Sequence, residues 1–165
     1  MDQSPSFDEQ LAALLPRLRR FAQGLSRDSA DADDLTQATI ERALRSRQQW
    51  QAGTRLDSWA CRIMRNLWID TARSRSRKAA REVPGEEGLN VGTDPRPGLD
   101  AALDLKRITA AMSQLPDEQR EVVALILIEG FGYREVSEML GLPIGTVSSR
   151  LVRGRTALLA MVGER

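Results

Sequence analysis

The chain has 165 residues, and its 24 basic and 23 acidic side chains leave a formal net charge of only +1. That length accommodates one domain or two small ones, and an apolar fraction of 41% is enough for a core. The sequence has no His and a single Cys, so it excludes His-dependent catalysis, an internal disulfide and a structural zinc site. We expect no cofactor and no enzymatic activity, since no P-loop or GxGxxG motif occurs. No apolar run is long enough to span a membrane and no secretion signal is present, so we expect a cytoplasmic protein without membrane insertion.

The near-zero net charge is the sum of segregated blocks. Residues 28–41 carry five acids and no base, residues 55–81 sum to +6, and residues 82–104 sum to −5. Arg outnumbers Lys by 22 to 2, which favours recognition of phosphates and base edges by planar guanidinium groups. The total therefore does not exclude nucleic acid, because binding depends on where the charge lies.

Helical periodicity dominates the first eighty residues. Apolar residues from Phe7 to Leu25 recur at helical spacing, and Pro16 is expected to kink this helix or to begin a new one. A turn is predicted at 24–29 and a second helix from near Asp31. Its inner face is expected to hold Leu35, Ala38, Thr39, Ala43 and Leu44. A third helix is predicted over roughly 58–74, capped by Asp57 or Ser58, with Trp59, Ile63 and Leu67 on its core face and Trp68 on an outer face.

Residues 82–98 have the composition of a linker, with three Pro, four Gly and few large apolar side chains. They divide the chain into domains at 1–81 and 99–165, joined by an acidic flexible segment. Helices are predicted again at 99–112, after Pro116, at 133–140 and from Ile144 or Gly145 to Ala160, with Val122, Val123, Ile126 and Leu127 facing the core. The sequence thus predicts an all-α protein of two small helical domains.

The last two predicted helices form a helix-turn-helix. Val136 and Leu140 are spaced to pack against Val147 and Leu151, and Gly141 suits the left-handed turn between the helices. The exposed face of the second helix would then present short hydroxyls near its start and arginines further along, which is the arrangement that reads a major groove. An ordinary helical hairpin with a solvated arginine face is the alternative at this point.

The third predicted helix interleaves arginines with tryptophans. This composition favours single-stranded nucleic acid, because cations follow the phosphates and aromatic rings offer faces to the bases. Asn66 lies among the arginines and could read a base edge. The alternatives are that Trp59 belongs to the core and that the RSRSRK tail at 73–78 is a solvated helix end.

The acidic helix that begins near Asp31 would repel DNA phosphates, so we expect it to face protein. The alternative is a helix N-terminus that favours acids through its dipole. Three stretches carry a family resemblance: DADDLTQATIERAL at 31–44, WACRIMRNLWIDTARSRSRK at 59–78, and LPDEQREVVALILIEGFGYREVSEMLGLPIGTVSSRLVRGRTAL at 115–158. Together they resemble bacterial sigma factors of the extracytoplasmic-function (ECF) group, within the sigma-70 family.

The resemblance implies an alternative sigma factor that binds core RNA polymerase and directs promoter recognition and opening, held in check by an anti-sigma protein. It implies contact with the two largest catalytic subunits, with duplex DNA at the −35 element and with single-stranded DNA at the −10 element. The residues it places at the −35 element are Arg134, Thr146, Ser148, Ser149, Arg150, Arg153 and Arg155. Those it places at the −10 element are Arg55, Arg62, Arg65, Asn66, Arg73, Arg75 and Arg77. Those it places against core polymerase are Asp33, Asp34, Leu35, Gln37 and Ile40.

Two other functions fit part of the pattern. A stand-alone helix-turn-helix regulator explains residues 115–158 but leaves the acidic helix and the arginine-rich helix without a role. A carboxylate–Mg²⁺ nuclease needs converging acids, and the acids here are scattered along the chain.

Overall fold

The computed structural model describes residues 4–79 and 99–163, and the predicted linker at 82–98 lies outside them. The described residues are helical without a strand, which confirms the all-α class. The helices of the N-terminal half are α1 (Phe7–Ala13), α2 (Leu15–Leu25), α3 (Ser29–Arg45) and α4 (Leu56–Ala79), with a short 3₁₀ turn at Arg47–Gln49. Those of the C-terminal half are α5 (Leu99–Gln114), α6 (Asp117–Val123), α7 (Tyr133–Leu140) and α8 (Ile144–Gly163).

Local sequence explains most helix ends. Ser6 and Glu9 form a reciprocal capping box at the start of α1, and Asp28 accepts a hydrogen bond from the Asp31 backbone N–H at the start of α3. Pro16 opens α2 as expected, in its first turn. The predicted turn at 24–29 is too long, because α2 continues through Gly24 to Leu25.

The inner face of α4 differs from the prediction. The helix begins at Leu56, so Asp57 and Ser58 lie in its first turn, and its buried side chains are Leu56, Ala60, Cys61, Met64 and Trp68. Trp59, Ile63 and Leu67 are only half-buried. Trp68 was expected outside, but it borders a cleft of about 260 Å³ together with Asp117 of α6. The C-terminal half covers a second face of α4, which periodicity within one helix does not reveal.

The segment after α6 widens into a π turn at Ala124–Ile128, in which the Glu129 backbone N–H donates to the carbonyl of Ala124 at 3.0 Å. The extra residue in this turn rotates the following side chains relative to a regular helix. Leu125 in this turn is buried, whereas Leu127, which was expected to face the core, is exposed.

The buried apolar side chains of both halves form one continuous cluster. Helix α2 packs against α5, α6 and the π turn, as well as against α3 and α4. Gly24 makes this approach close, since a Cβ there would lie 3.3 Å from Cδ1 of Ile128 and 3.4 Å from Cβ of Ala124. The two halves are therefore in direct contact, which the sequence did not predict.

Candidate nucleic-acid and polymerase interfaces

The helix-turn-helix is formed by α7 and α8. Val136, Leu140, Val147 and Leu151 are all buried, as the spacing predicts. Gly141 closes α7 with φ 65° and ψ 35°, the left-handed conformation expected for it. The Ser137 hydroxyl donates to the carbonyl of Leu142 across the turn. These contacts fix the direction in which α8 leaves the turn.

The residues expected to read DNA lie on α8 and on the first turn of α7. Arg134, Arg153 and Arg155 are exposed. Thr146, Ser148, Ser149 and Arg150 are half-buried. Arg150 lies 3.8 Å from the carboxylate of Glu118. The hydroxyls and the arginines therefore follow one another along α8 in the order that the sequence predicts.

The residues expected at single-stranded DNA lie along α4 and just before it. Arg62, Asn66, Arg73 and Arg77 are exposed, and the Arg75 side chain lies outside the described part of the chain. Arg65 and Arg55 differ from these, because each is paired with a glutamate of the C-terminal half. The Nε of Arg65 donates to Glu121 at 3.0 Å, and Nη1 of Arg55 donates to Glu135 at 2.7 Å.

Helix α3 exposes an acidic surface. Asp33, Asp34 and Gln37 are exposed and Ile40 is half-buried. Leu35, which the resemblance lists with them, is 8% exposed and belongs to the core, as the helical spacing predicts.

A buried ion-pair network joins the two halves, and sequence reasoning missed it. Glu129, whose side chain is 0% exposed, accepts from Nε of Arg17 at 2.7 Å and from Nε of Arg20 at 3.2 Å. Arg17 also donates to the backbone carbonyl of Glu129 at 2.8 Å and pairs with Asp57. The one available sequence signal was an acid directly after the apolar run ALILI, where a buried carboxylate needs a partner.

The guanidinium groups of Arg17 and Arg55 lie over the ring of buried Phe131, at 5.0 Å and 5.2 Å from its centroid. Phe131 follows Gly130, whose φ of 76° turns the chain sharply after Glu129. The turn at 129–132 thereby presents a carboxylate to Arg17 and Arg20 and an aromatic ring to Arg17 and Arg55, which adds cation–π attraction to the ion pairs.

Burial and charge shift several pKa values at this junction. Burial alone would raise the pKa of Asp57, but hydrogen bonds from Arg55 and Arg17 outweigh it and hold that pKa below its ordinary value. Burial raises the pKa of Glu121, and the hydrogen bond from Arg65 only partly opposes this. Burial also raises the pKa of the Cys61 thiol to about 12, so the thiol is unreactive near neutral pH.

Within the described ranges, no group of three or more His, Cys, Asp and Glu residues is placed to hold a metal ion. No helix in these ranges is long and apolar enough to cross a membrane.

Two protein families match the chain, one in its N-terminal half and one in its C-terminal half. Residues 11–78 match Sigma-70 region 2, and residues 105–158 match Sigma-70, region 4. The chain is 37% identical over 163 residues to the ECF RNA polymerase sigma factor EcfG of Rhodopseudomonas palustris, covering 98% of this chain and 88% of that protein. It is 40% identical over 157 residues to the ECF RNA polymerase sigma factor SigE of Mycolicibacterium smegmatis, covering 93% of this chain and 60% of that protein's length.

A solved structure is similar across both halves. It is the co-crystal structure of the sigma factor RpoE with the anti-sigma factor NepR from Bartonella quintana. One of its chains matches with a TM-score of 0.81 and 31% identity, covering 96% of this chain and 98% of that chain. With a helix-turn-helix in one half, an arginine-rich helix in the other and these matches over both, the chain belongs to the ECF group of the sigma-70 family.

Proposed function

We propose that this chain is an alternative sigma factor that binds core RNA polymerase and directs promoter recognition and opening. The observation that supports the proposal is a helix-turn-helix in the half that matches region 4 of sigma-70, together with an exposed arginine-rich helix in the half that matches region 2. A stand-alone regulator would use the helix-turn-helix but would have no role for exposed Arg62 and Asn66 on α4. The chain supplies no chemistry in this proposal, since polymerase makes the RNA.

The helix-turn-helix would bind the −35 element as duplex DNA. The hydroxyls of Thr146, Ser148 and Ser149 lie in the first turns of α8, where base edges come within reach of short side chains. Arg150, Arg153 and Arg155 follow along the same helix, and Arg134 lies in the first turn of α7. The exposed arginines among them would hold phosphates and set the register of the helix in the groove.

Helix α4 would hold the separated strand of the −10 element. Arg62, Arg73 and Arg77 are exposed along it and would neutralise phosphates, together with Arg75. Exposed Asn66 would read a flipped base through its amide. Arg55 and Arg65 would join them once released from their glutamate partners. Opening DNA costs about 1.4 kcal/mol per base-pair step, so the strand contacts must offset several kcal/mol.

The exposed acidic surface of α3, formed by Asp33, Asp34 and Gln37 with half-buried Ile40, would dock on the largest catalytic subunit of polymerase. Apolar surface on the C-terminal half would contact the second of the two largest catalytic subunits. Control by an anti-sigma protein is supported by the similarity to a sigma factor solved with NepR. A cytoplasmic location follows from this proposal, because the chain would act together with RNA polymerase.

Separate substitutions on α8 and α4 test whether α8 serves −35 binding and α4 serves strand opening. With core polymerase present, Asn66→Ala should impair strand opening, measured by permanganate reactivity of unpaired thymines, while duplex binding at −35 remains. Arg150→Ala should weaken −35 binding, measured by protection from nuclease, and leave opening intact on a promoter already bound at high protein concentration. If both variants lose only −35 binding, or both lose only strand opening, the separate roles of α8 and α4 are contradicted.

A further inference from the structure

Three aromatic side chains meet at the edge of the N-terminal half, where α1 packs against the segment that leads into α4. The ring of Phe7 lies 5.6 Å from that of Trp50 in a tilted arrangement and 6.0 Å from that of Trp59 in an edge-to-face arrangement. All three side chains are half-buried and pack against the fully buried cluster. The rings therefore lie at the rim of the core, and they join the start of the chain to the segment before α4.

Trp50 stands at one end of an exposed turn formed by residues 51–55. The backbone N–H of Thr54 donates to the carbonyl of Gln51 at 3.1 Å, and the Thr54 hydroxyl donates to the same oxygen at 2.6 Å. At the other end, Leu56 is buried in the first turn of α4. The turn is therefore compact and held at both ends.

We propose that Phe7 is a positioning residue for the −10 strand, because it holds Trp50 and thereby fixes the exposed turn beside Arg55. The side chains of the turn would meet unpaired bases next to the phosphate on Arg55, and α1 would set the base preference of the strand site without touching DNA. This inference rests on the proposed role of Arg55 at the −10 element.

The indole of Trp50 depends on its ring contacts. Its Nε1 is buried and finds no hydrogen-bond acceptor among the described residues. Because an unpaired buried N–H is stabilised by any movement that brings it to water, packing alone keeps the indole in place. Loss of the Phe7 ring should therefore release the indole, and with it the turn that follows.

The ring of Phe7 is itself held from two sides of the sequence. Leu11, one helical turn further along α1, is 3% exposed and ties the same face of the helix to the core. The guanidinium of Arg47 lies 5.5 Å from the centroid of the Phe7 ring and 3.1 Å from the carboxylate of Asp8. Helix α1 and the segment before the turn are thus joined by Arg47 as well as by the aromatic rings.

Release of the turn should change base preference more than overall affinity. Phosphate contacts from the arginines of α4 do not depend on the turn and are the same for every base. Contacts to base edges need a fixed geometry, and a loop keeps that geometry only when the scaffold holds it. A released turn would therefore leave strands of different sequence bound with similar affinity.

The test measures the base preference of holoenzyme assembled from core RNA polymerase and the full-length chain, with core polymerase alone as the blank. The probes are fluorescein-labelled oligomers of thymidine, deoxycytidine and deoxyadenosine, each of about 12 nucleotides, and anisotropy gives their dissociation constants. We expect the strongest and weakest constants to differ by about fivefold or more for wild type and by less than about twofold for F7L.

Two further variants control for ring chemistry and for lost stability. F7Y keeps the aromatic ring, so it should retain the wild-type ratio, whereas F7L keeps only the apolar volume. L158A truncates a half-buried core contact on α8 and should also retain the ratio. Partial unfolding does not obscure the result, because the folded fraction divides out of a ratio of two dissociation constants.

The position of Trp50 is measured by ¹⁹F NMR of the full-length chain labelled with 5-fluorotryptophan. The chain has 3 Trp, so three signals are expected, and W50F assigns the one from Trp50. This signal should move toward its position in the unfolded chain in F7L and stay in place in F7Y and L158A. An unchanged Trp50 signal in F7L, or an unchanged ratio of constants, would overturn the proposal.

R62A separates failure of this inference from failure of the proposed function. If R62A weakens the binding of all three oligomers but F7L leaves their ratio unchanged, α4 binds the strand and Phe7 does not position the turn. If wild type binds the three oligomers equally, the turn reads no base and the inference is overturned while the role of α4 stands. If R62A changes none of the three affinities, α4 does not bind the strand, and the proposed function and this inference fail together.

Discussion

Gly154 lies where α8 crosses α6, and replacing it by Ala tests how closely these helices pack. A Cβ at this position would lie 2.7 Å from Cγ2 of Val123 and 3.2 Å from Cβ of Gln119. Val123 is 1% exposed and has little room to move. In the middle of a helix, Ala gains about 1 kcal/mol over Gly, whereas overpacking costs about 1–3 kcal/mol. We therefore expect a net loss of about 1 kcal/mol in the free energy of unfolding, and a Tm lower by about 2–4 °C.

Gly145→Ala is the matched control, because it makes the same change in the same helix where a Cβ would meet no atom within 4 Å. Its stability should equal or slightly exceed that of wild type, since Ala favours the helix. Urea unfolding followed by circular dichroism gives both values on one scale. If Gly154→Ala proves as stable as Gly145→Ala, the close crossing of α6 and α8 does not exist and the position of the recognition helix must be reconsidered.

Three further outcomes are expected. Arg120→Met should cost about 3–5 kcal/mol, measured by urea unfolding, because the 1% exposed guanidinium donates to four backbone carbonyls that would lose their partner; a cost below about 1 kcal/mol would contradict this role. Gly24→Leu should push α2 away from the π turn and enlarge the radius of gyration, whereas Gln23→Leu on the exposed neighbouring position should not; equal radii would argue against the interface. Asp57 has a lowered pKa, so its contribution to stability is present above the ordinary pKa of 3.8 and is lost as pH falls below it. Thermal melts between pH 6 and 3 should therefore show a smaller acid loss for Asp57→Asn than for wild type, and parallel curves would refute the network.

Much of the fold could be predicted from local pattern. The start of α2 next to Pro16, the ends of α7 and the left-handed Gly141 each depend on residues within a few positions of one another. The acidic face of α3 and the basic face of α4 could also be predicted, because exposed charged residues follow helical spacing. These features need no knowledge of what packs against them.

The contact between the two halves could not be predicted, because it depends on pairs far apart in sequence. Arg17 and Glu129 are separated by 112 positions. Helical spacing puts Trp68 on an outer face of α4, whereas in the structure it is buried and borders a cleft shared with Asp117 of the C-terminal half. The exposure of Leu127 could not be predicted either, because helical spacing gives no sign of the π turn at Ala124–Ile128.

The residues assigned to DNA and polymerase followed from a family resemblance together with charge and spacing. Exposure supports Arg62, Asn66 and Arg153 as available contacts, whereas Leu35 is buried in the core. Arg55 and Arg65 are paired with Glu135 and Glu121, which neither the resemblance nor the spacing suggested.

The most direct test of sigma function is reconstituted transcription on genomic DNA fragments of the source organism. Core RNA polymerase from that organism is supplied with or without the purified chain, and the 5′ ends of the transcripts are sequenced. We predict a defined set of new start sites only when the chain is present, each preceded by a shared −35 and −10 sequence. If the chain adds no start site but binds a palindromic site as a dimer without polymerase, it is a stand-alone regulator and the sigma account is contradicted.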